Sequence, residues 1–196
     1  MNIGLYFGSF NPVHNGHLII AQHILNETGL SQVWFVVSPQ NPFKQQKHLL
    51  NEYDRLHLVN LAIEKSARLK AVDIEFRLPK PSYTINTLTY LKEKYPQHNY
   101  AIIMGSDSLQ NLDQWKNPDQ IIKDYPIYVY TRPGFEIKET GVTKLIIVKA
   151  PLLEISATHI RELIQSEKSI RYLVPDIVCD EIENAGYYKL KDPSQQ

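Results

Sequence analysis

The feature that most constrains the fold is an alternation of short apolar runs with longer segments of helical periodicity. The runs Asn2–Phe7, Gln32–Val37 and Asn99–Met104 are almost wholly apolar. Further strand candidates are Val72–Phe76, Ile127–Thr131 and Leu145–Val148. Short apolar runs separated by helices are typical of a parallel sheet that is covered on both faces. We therefore predict one α/β domain with a doubly wound parallel sheet and helices on both faces.

The segments between these runs carry recognisable helix starts. Asn51 can cap a helix that runs to about Arg68, and Ser82 can cap a helix that runs through Lys94. Further helices are predicted over Leu18–Leu25, Ala157–Gln165 and Asp176–Asn184. We expect the domain to span residues 1–188 and residues 189–196 to form a polar tail.

The charge balance limits the partners. The 196 residues include 21 Lys and Arg against 21 Asp and Glu, so we expect binding neither to a nucleic-acid polymer nor to a membrane. No apolar run approaches the roughly 20 residues of a membrane-spanning helix. No Lys or Arg precedes Lys44, so no secretory signal is expected. The single cysteine, Cys179, is predicted to be buried and indicates a reducing cytoplasm.

In a doubly wound sheet, ligands bind beyond the carboxyl ends of the strands. The turn Gly8–His17 follows the first predicted strand and places His14 and His17 on one face of a helix start. No charged residue precedes Glu27. An anion here would therefore be held by backbone N–H groups, the helix dipole and the two imidazoles.

Other roles for the two histidines remain open at this point. They could cap a helix, or supply half of a zinc site. No third ligand is indicated by the sequence, so we predict no protein metal site.

The segment Gly8–His17 resembles the HxGH signature of the nucleotidylyltransferase superfamily, whose fold is Rossmann-like. In that superfamily the histidines line the ATP phosphates and stabilise the transition state of adenylyl transfer. The resemblance implies ATP contacts from the following residues of this turn: Gly8, Ser9, Phe10, His14, Gly16 and His17.

A second block, Ile155–Arg161, provides another helix start with Ser156 as N-cap and Arg161 one turn inside. It is similar to the motif that holds the ATP tail in the nicotinate mononucleotide adenylyltransferase family. The implied ATP contacts are Ile155, Ser156, Thr158 and Arg161. Read without the first motif, the block is also compatible with a capped surface helix.

Further blocks resemble the same family in the same order along the chain. Gly105 and Asp107 match its Gly-x-Asp-Ser-Leu, which contacts ATP. Lys44 ends a proline loop after which the family has a basic residue near the reacting phosphates; Lys47, His48 and a solvated lysine remain alternatives. The resemblance assigns the following residues to nicotinate mononucleotide: Asn11, Lys44, Tyr83, Thr84, Trp115 and Arg132. Three residues depart from the usual pattern, Ser9, Asn11 and Ala157, and the changes are small or nearly isosteric.

The resemblance implies transfer of AMP from Mg²⁺-bound ATP to nicotinate mononucleotide, giving deamido-NAD and pyrophosphate in NAD biosynthesis. It implies catalytic roles for His14, His17 and Lys44. Alternatives are a phosphopantetheine adenylyltransferase, an enzyme that prefers nicotinamide mononucleotide, a class I aminoacyl-tRNA synthetase and a nucleotide-binding regulator. The sequence is compatible with a homo-oligomer.

Overall fold

Six strands form one wholly parallel sheet in the computed structural model, which describes residues 1–40, 49–132, 134–135, 137, 142, 144–151 and 154–190. The strands are β1 (Asn2–Gly8), β2 (Gln32–Val37), β3 (Leu69–Val72), β4 (Asn99–Gly105), β5 (Ile127–Tyr130) and β6 (Leu145–Val148). Their order is β3-β2-β1-β4-β5-β6. The parallel sheet of the sequence prediction is confirmed.

Helices cover both faces of this sheet. They are α1 (Asn15–Glu27), α2 (Glu52–Ile63), α3 (Thr84–Lys94), α4 (Ser106–Leu109), α5 (Pro118–Asp124), α6 (Ala157–Gln165) and α7 (Asp176–Ala185). Buried side chains of α1, α2, α6 and α7 belong to one apolar cluster, and those of α3, α4 and α5 belong to another. The doubly wound architecture is therefore confirmed.

The side chains of β2 show how the sequence produces two cores. Val33, Phe35 and Val37 contribute to the first cluster, whereas Trp34 and Val36 contribute to the second. Successive side chains of a strand point to opposite faces, and both faces are apolar here because both are covered. The predicted burial of Cys179 is confirmed, since the residue is 0% exposed in the first cluster.

The predicted strand Val72–Phe76 is wrong in its position. The strand is Leu69–Val72, and a 3₁₀ helix over Ile74–Arg77 follows it. β3 pairs with β2 only as far as Val36, close to the end of β2. The alternation of apolar and acidic residues after Val72 fits a strand, but the chain has no parallel partner left there and turns instead.

Two helix boundaries also differ from the prediction. α2 is capped by Asn51, as predicted, but it ends at Ile63 and not near Arg68. Arg68 instead donates to backbone carbonyls of Leu25, Leu30 and Ser31 as the chain enters β3. Ser82 does not cap α3, which begins at Thr84 with Tyr83 as its N-cap.

The topology places a crevice at the carboxyl end of β1. The chain leaves β1 for β2 through α1 on one face, and later enters β4 on the other side of β1 through α3 on the opposite face. Loops that leave neighbouring strands in opposite directions open a crevice at this switch point. Within the described residues, no helix is long and apolar enough to cross a membrane.

Candidate active site

Two neighbouring pockets open in this crevice. The helix-end pocket is lined by residues at the starts of α1 and α6, including His14, His17, Ser156, Thr158 and Arg161. The aromatic pocket is lined by Glu75, Ser82, Tyr83, Thr84, Trp115 and Lys116. They share a wall formed by Tyr6, Gly8, Asp107 and Tyr130. Two ligands bound side by side would therefore meet at this wall.

The start of α1 forms one side of the helix-end pocket. His14 is the N-cap residue and His17 lies one turn further, with their rings stacked at a centroid distance of 3.7 Å. The backbone N–H of His14 donates to Nδ1 of His17 over 3.2 Å. A histidine that accepts at Nδ1 carries its ring proton on Nε2. The first turn of α1 contains no acidic residue, so its positive dipole end favours an anion.

Two glycines make room for this arrangement. A Cβ atom on Gly8 would lie 2.8 Å from the ring of Phe10, and one on Gly16 would lie 3.0 Å from Nδ1 of His14. Phe10 is buried and its ring packs edge-on against His17 at a centroid distance of 5.0 Å. A side chain at either glycine would therefore displace a ring that positions the two histidines.

Burial and the positive charge of Arg132 lower the pKa of His14 to about 4. His14 is therefore uncharged at neutral pH, and a neutral imidazole offers one N–H donor. The helix-end pocket thus gains its attraction for anions from directed N–H groups, helix ends and guanidinium groups, and not from an imidazolium at His14.

The start of α6 forms the facing side of this pocket. Oγ of Ser156 accepts from the backbone N–H of His159 over 3.1 Å, which confirms Ser156 as the N-cap. Arg161 donates to the carbonyl oxygen of Asn11 over 2.7 Å and to Oγ1 of Thr158 over 3.2 Å. The Arg161 guanidinium thus links the α6 helix start to the Gly8–His17 turn.

The shared wall contains a pair of hydroxyls and the acidic member of an ion pair, whose basic member, Arg132, lines the helix-end pocket. Arg132 lies 3.2 Å from the carboxylate of Asp107, and the hydroxyls of Tyr6 and Tyr130 lie 3.1 Å apart. Burial raises the pKa of both tyrosines, so the two hydroxyls keep their protons. One hydroxyl donates to the other, so the wall presents one remaining hydroxyl proton and one acidic group to a ligand at the junction of the pockets.

The aromatic pocket is built on the start of α3. Tyr83 precedes this helix, and Nζ of Lys116 lies 4.9 Å from the centroid of its ring. Trp115 is partly buried against the core of this face. The first turn of α3 has no acidic residue. An aromatic ring carrying a polar or anionic substituent would suit this combination of aromatic side chains and backbone N–H groups.

The structure brings most of the predicted site residues to one of the two pockets. Gly16 lines neither pocket but packs against the ring of His14. Arg132 and Asn11, expected on the mononucleotide side, both line the helix-end pocket. Oδ1 of Asn11 accepts from the backbone N–H of Leu50 over 3.2 Å. Phe10 lines the helix-end pocket and is otherwise buried in the core. The predicted residue Lys44 lies outside the described residues.

Sequence reasoning missed several residues of the site. Tyr6 and Tyr130 belong to apolar strands, where nothing distinguishes them from core residues. Glu75 lies between two apolar residues in the segment that was predicted as a strand. Arg55 shares a buried face of α2 with Leu58 and Val59, and a charge on an otherwise apolar helix face was the available signal.

Arg55 joins the walls of the two pockets from behind. Its side chain is 0% exposed and donates to the carbonyl oxygens of Ser9 at 2.6 Å, Leu50 at 2.8 Å and Ser38 at 2.9 Å. Ser9 lines the helix-end pocket and Ser38 lines the aromatic pocket. One buried guanidinium thus fixes the loop after β1 relative to the loop after β2.

Magnesium is the metal that the family resemblance implies for this site. Within the part of the chain that the structure describes, no group of three or more His, Cys, Asp or Glu residues could hold a metal ion. Mg²⁺ commonly takes one or two carboxylates and completes its shell with water and substrate phosphates. Asp107 supplies one carboxylate at the shared wall, so the residues fit Mg²⁺ that arrives bound to a nucleotide.

Comparison with known proteins decides the family. Residues 5–163 match the model of the family described as cytidylyltransferase-like. A protein of Cytophaga hutchinsonii is 52% identical over 96% of this chain and 98% of its own length. A protein of Flavobacterium psychrophilum is 48% identical over 96% of this chain and 100% of its own. Both carry the name "Probable nicotinate-nucleotide adenylyltransferase".

The chain belongs to the nicotinate-nucleotide adenylyltransferases of the cytidylyltransferase-like family. It is thus an adenylyltransferase. A nicotinic acid mononucleotide adenylyltransferase of Plasmodium falciparum, solved in complex with NaAD, has the same fold. The TM-score is 0.82 at 21% identity, over 95% of this chain and 97% of that one.

Proposed function

We propose that this nicotinate-nucleotide adenylyltransferase binds Mg²⁺-ATP with its phosphates in the helix-end pocket and nicotinate mononucleotide with its ring in the aromatic pocket. The observation that carries the proposal is the shared wall between two pockets of different chemistry. One pocket is lined by two helix starts, imidazoles and guanidinium groups, and the other by aromatic side chains. The phosphate of the mononucleotide and the α-phosphate of ATP would meet at the wall.

In the proposed reaction, an oxygen of the mononucleotide phosphate attacks the α-phosphorus of ATP in line. A new P–O bond forms, and the bond from the α-phosphorus to the bridging oxygen of the β-phosphate breaks. The products are deamido-NAD and pyrophosphate. No enzyme nucleophile is needed, so catalysis rests on positioning and on stabilisation of charge.

Five side chains of the helix-end pocket have specific tasks in this proposal. Nε2–H of His17 donates to the α-phosphate, and His14 donates to the phosphates beyond it. Ser156, Thr158 and Arg161 hold the β- and γ-phosphates at the start of α6. Arg161 is suited to this because it retains guanidinium N–H groups besides those bonded to Asn11 and Thr158. Lys44 remains a predicted contributor at the α-phosphate.

Mg²⁺, when bound, neutralises charge on the leaving pyrophosphate. Asp107 is the residue that would hold it, together with water and phosphate oxygens. The ion pair with Arg132 orients the Asp107 carboxylate. We also propose, as part of the same assignment, that the enzyme works in the cytoplasm. Its single, buried cysteine supports this.

The experiment that tests the function is release of pyrophosphate from ATP with a panel of acceptors. The panel contains nicotinate mononucleotide, nicotinamide mononucleotide and phosphopantetheine. We expect fast release with nicotinate mononucleotide and none above background with phosphopantetheine. Release with phosphopantetheine alone would contradict the proposal.

A further inference from the structure

Two buried polar atoms of residues that line the aromatic pocket make no hydrogen bond of acceptable geometry among the described residues. They are Oε2 of Glu75 and Oγ of Ser82. Both residues line the pocket, with Glu75 1% exposed and Ser82 8% exposed. A buried polar atom without a partner is costly unless a ligand or a water molecule satisfies it. The lining of the pocket therefore includes groups that are suited to a polar ligand atom.

The other carboxyl oxygen of Glu75 is engaged by the fold. Oγ1 of Thr87, on α3, donates to Oε1 of Glu75 over 2.9 Å, and Thr87 is 0% exposed. The hydrogen bond joins the 3₁₀ helix after β3 to α3, whose first residue lines the same pocket. It also determines which oxygen of Glu75 is left for a ligand.

The ligand group follows from the proposed function, on which this inference rests. The pyridine ring of the mononucleotide carries one polar substituent away from its ribose, at position 3. That substituent is a carboxylate in nicotinate mononucleotide and a carboxamide in nicotinamide mononucleotide. We propose that Glu75 is a specificity-determining residue whose protonated carboxyl donates a hydrogen bond from Oε2 to the substrate carboxylate, with the Ser82 hydroxyl as a second donor.

Burial makes Glu75 harder to ionise than an exposed glutamate. Burial raises the pKa of Glu75, and the nearby hydroxyls of Ser38, Thr87 and Ser82 offset part of this rise. The approach of a substrate carboxylate would raise the pKa further, since two like charges disfavour each other. The other titratable side chains that line this pocket are Tyr6, Tyr83, Asp107, Lys116 and Tyr130.

The charged neighbours of Glu75 on its own segment pair with each other. Asp73 and Arg77 form an ion pair at 3.1 Å on the protein surface. The charges that act on Glu75 are therefore those of the pocket lining and of a bound ligand. Asp73 therefore provides a control for any effect of removing a carboxylate from this segment.

The proposal predicts how the choice between the two mononucleotides depends on pH. When Glu75 loses its proton, its carboxylate repels the carboxylate of nicotinate but can accept from the amide N–H of nicotinamide. The ratio of kcat/KM for the acid to kcat/KM for the amide should therefore fall as the pH rises. Any pH dependence that is the same for both substrates, including that of their phosphate, divides out of this ratio.

The test measures this ratio with the full chain, from mildly acidic to mildly alkaline pH, by release of pyrophosphate. In Glu75→Gln, Thr87 donates to Oε1 and so orients the amide with Nε2 in place of Oε2. Nε2 donates at every pH, so we expect the acid preference to persist and to become independent of pH. In Glu75→Leu, the ratio should fall about tenfold or more, as a charged ligand loses its donor.

Asp73→Asn is the matched control and should keep both the ratio and its pH dependence. A purely structural role for Glu75 would lower kcat/KM for both mononucleotides equally, so an unchanged ratio in Glu75→Leu would overturn the inference. A wild-type pH dependence that persists in Glu75→Gln would overturn it too. If Glu75→Leu does not fold, the result for Glu75→Gln tests the inference without it. If the wild-type protein turns over neither mononucleotide, the proposed function fails together with the inference.

Discussion

The helix-end pocket and the aromatic pocket lie side by side but are built in opposite ways. The first uses the backbone: its key elements are two helix starts, at His14 and Ser156, each within a short continuous segment. The second uses side chains from many separate segments, including Ser38, Glu75, Tyr83 and Trp115. A pocket for phosphates can be local because backbone N–H groups are always available, whereas a pocket for a ring needs surfaces from several elements.

The comparison predicts that removing a donor from the helix-end pocket affects the chemical step. We expect His17→Ala to lower kcat about 10²–10³-fold, because one preorganised donor to the reacting phosphate is lost. Steady-state release of pyrophosphate measures this effect. His23→Ala, on the same helix but outside both pockets, should be close to wild type. A kcat near the wild-type value in His17→Ala would remove His17 from the reaction.

The next largest effect should come from the residue that joins the two pockets. Arg55→Leu leaves buried carbonyl oxygens of Ser9, Ser38 and Leu50 without their donor. We expect the free energy of unfolding in urea to fall by about 3 kcal/mol. Arg68→Leu also removes three bonds to carbonyls, but from an exposed side chain, and should cost less than about 1 kcal/mol. Equal losses in the two variants would show that burial of Arg55 does not increase its contribution to stability.

A third prediction concerns the uncharged state of His14. Its pKa is about 4 in the folded chain, against about 6.5 when unfolded. The unfolded state therefore binds a proton first as the pH falls, and the stability present above pH 6.5 is lost progressively towards pH 4.

Between pH 7 and pH 5 this linkage should cost about 2 kcal/mol of unfolding free energy. We expect His14→Gln to lack this part of the pH dependence, as measured by urea unfolding at the two values. An identical loss in wild type and variant would mean that folding does not lower the pKa of His14.

The smallest effect should be confined to the aromatic pocket. We expect Trp115→Ala to raise KM for nicotinate mononucleotide about tenfold, because stacking on a ring contributes roughly 1–3 kcal/mol. KM for ATP should stay unchanged, and Trp115→Phe should recover most of the loss. An equal rise in both KM values would place Trp115 outside the ring site and would weaken the division into two pockets.

The same difference explains how far the sequence could predict the site. His14, His17, Ser156 and Arg161 could be located because their motifs are continuous and their geometry follows from helix starts. Glu75 could not, because its role depends on Thr87 in another element and on where β3 ends. The fold was largely predictable from the apolar runs, whereas the shift of β3 to Leu69–Val72 depends on its register with β2, which local pattern does not reveal.

The crevice lies where the two halves of the sheet diverge, with β2 on one side of β1 and β4 on the other. Bound substrates would thus act as a non-covalent cross-link between the amino-terminal and carboxyl-terminal halves of the chain. Substrate binding then also raises the free energy of unfolding, by an amount that grows with the logarithm of substrate concentration. The thermal midpoint of the protein should consequently rise with the concentrations of both nucleotides, so the enzyme would resist unfolding most when both substrates are abundant.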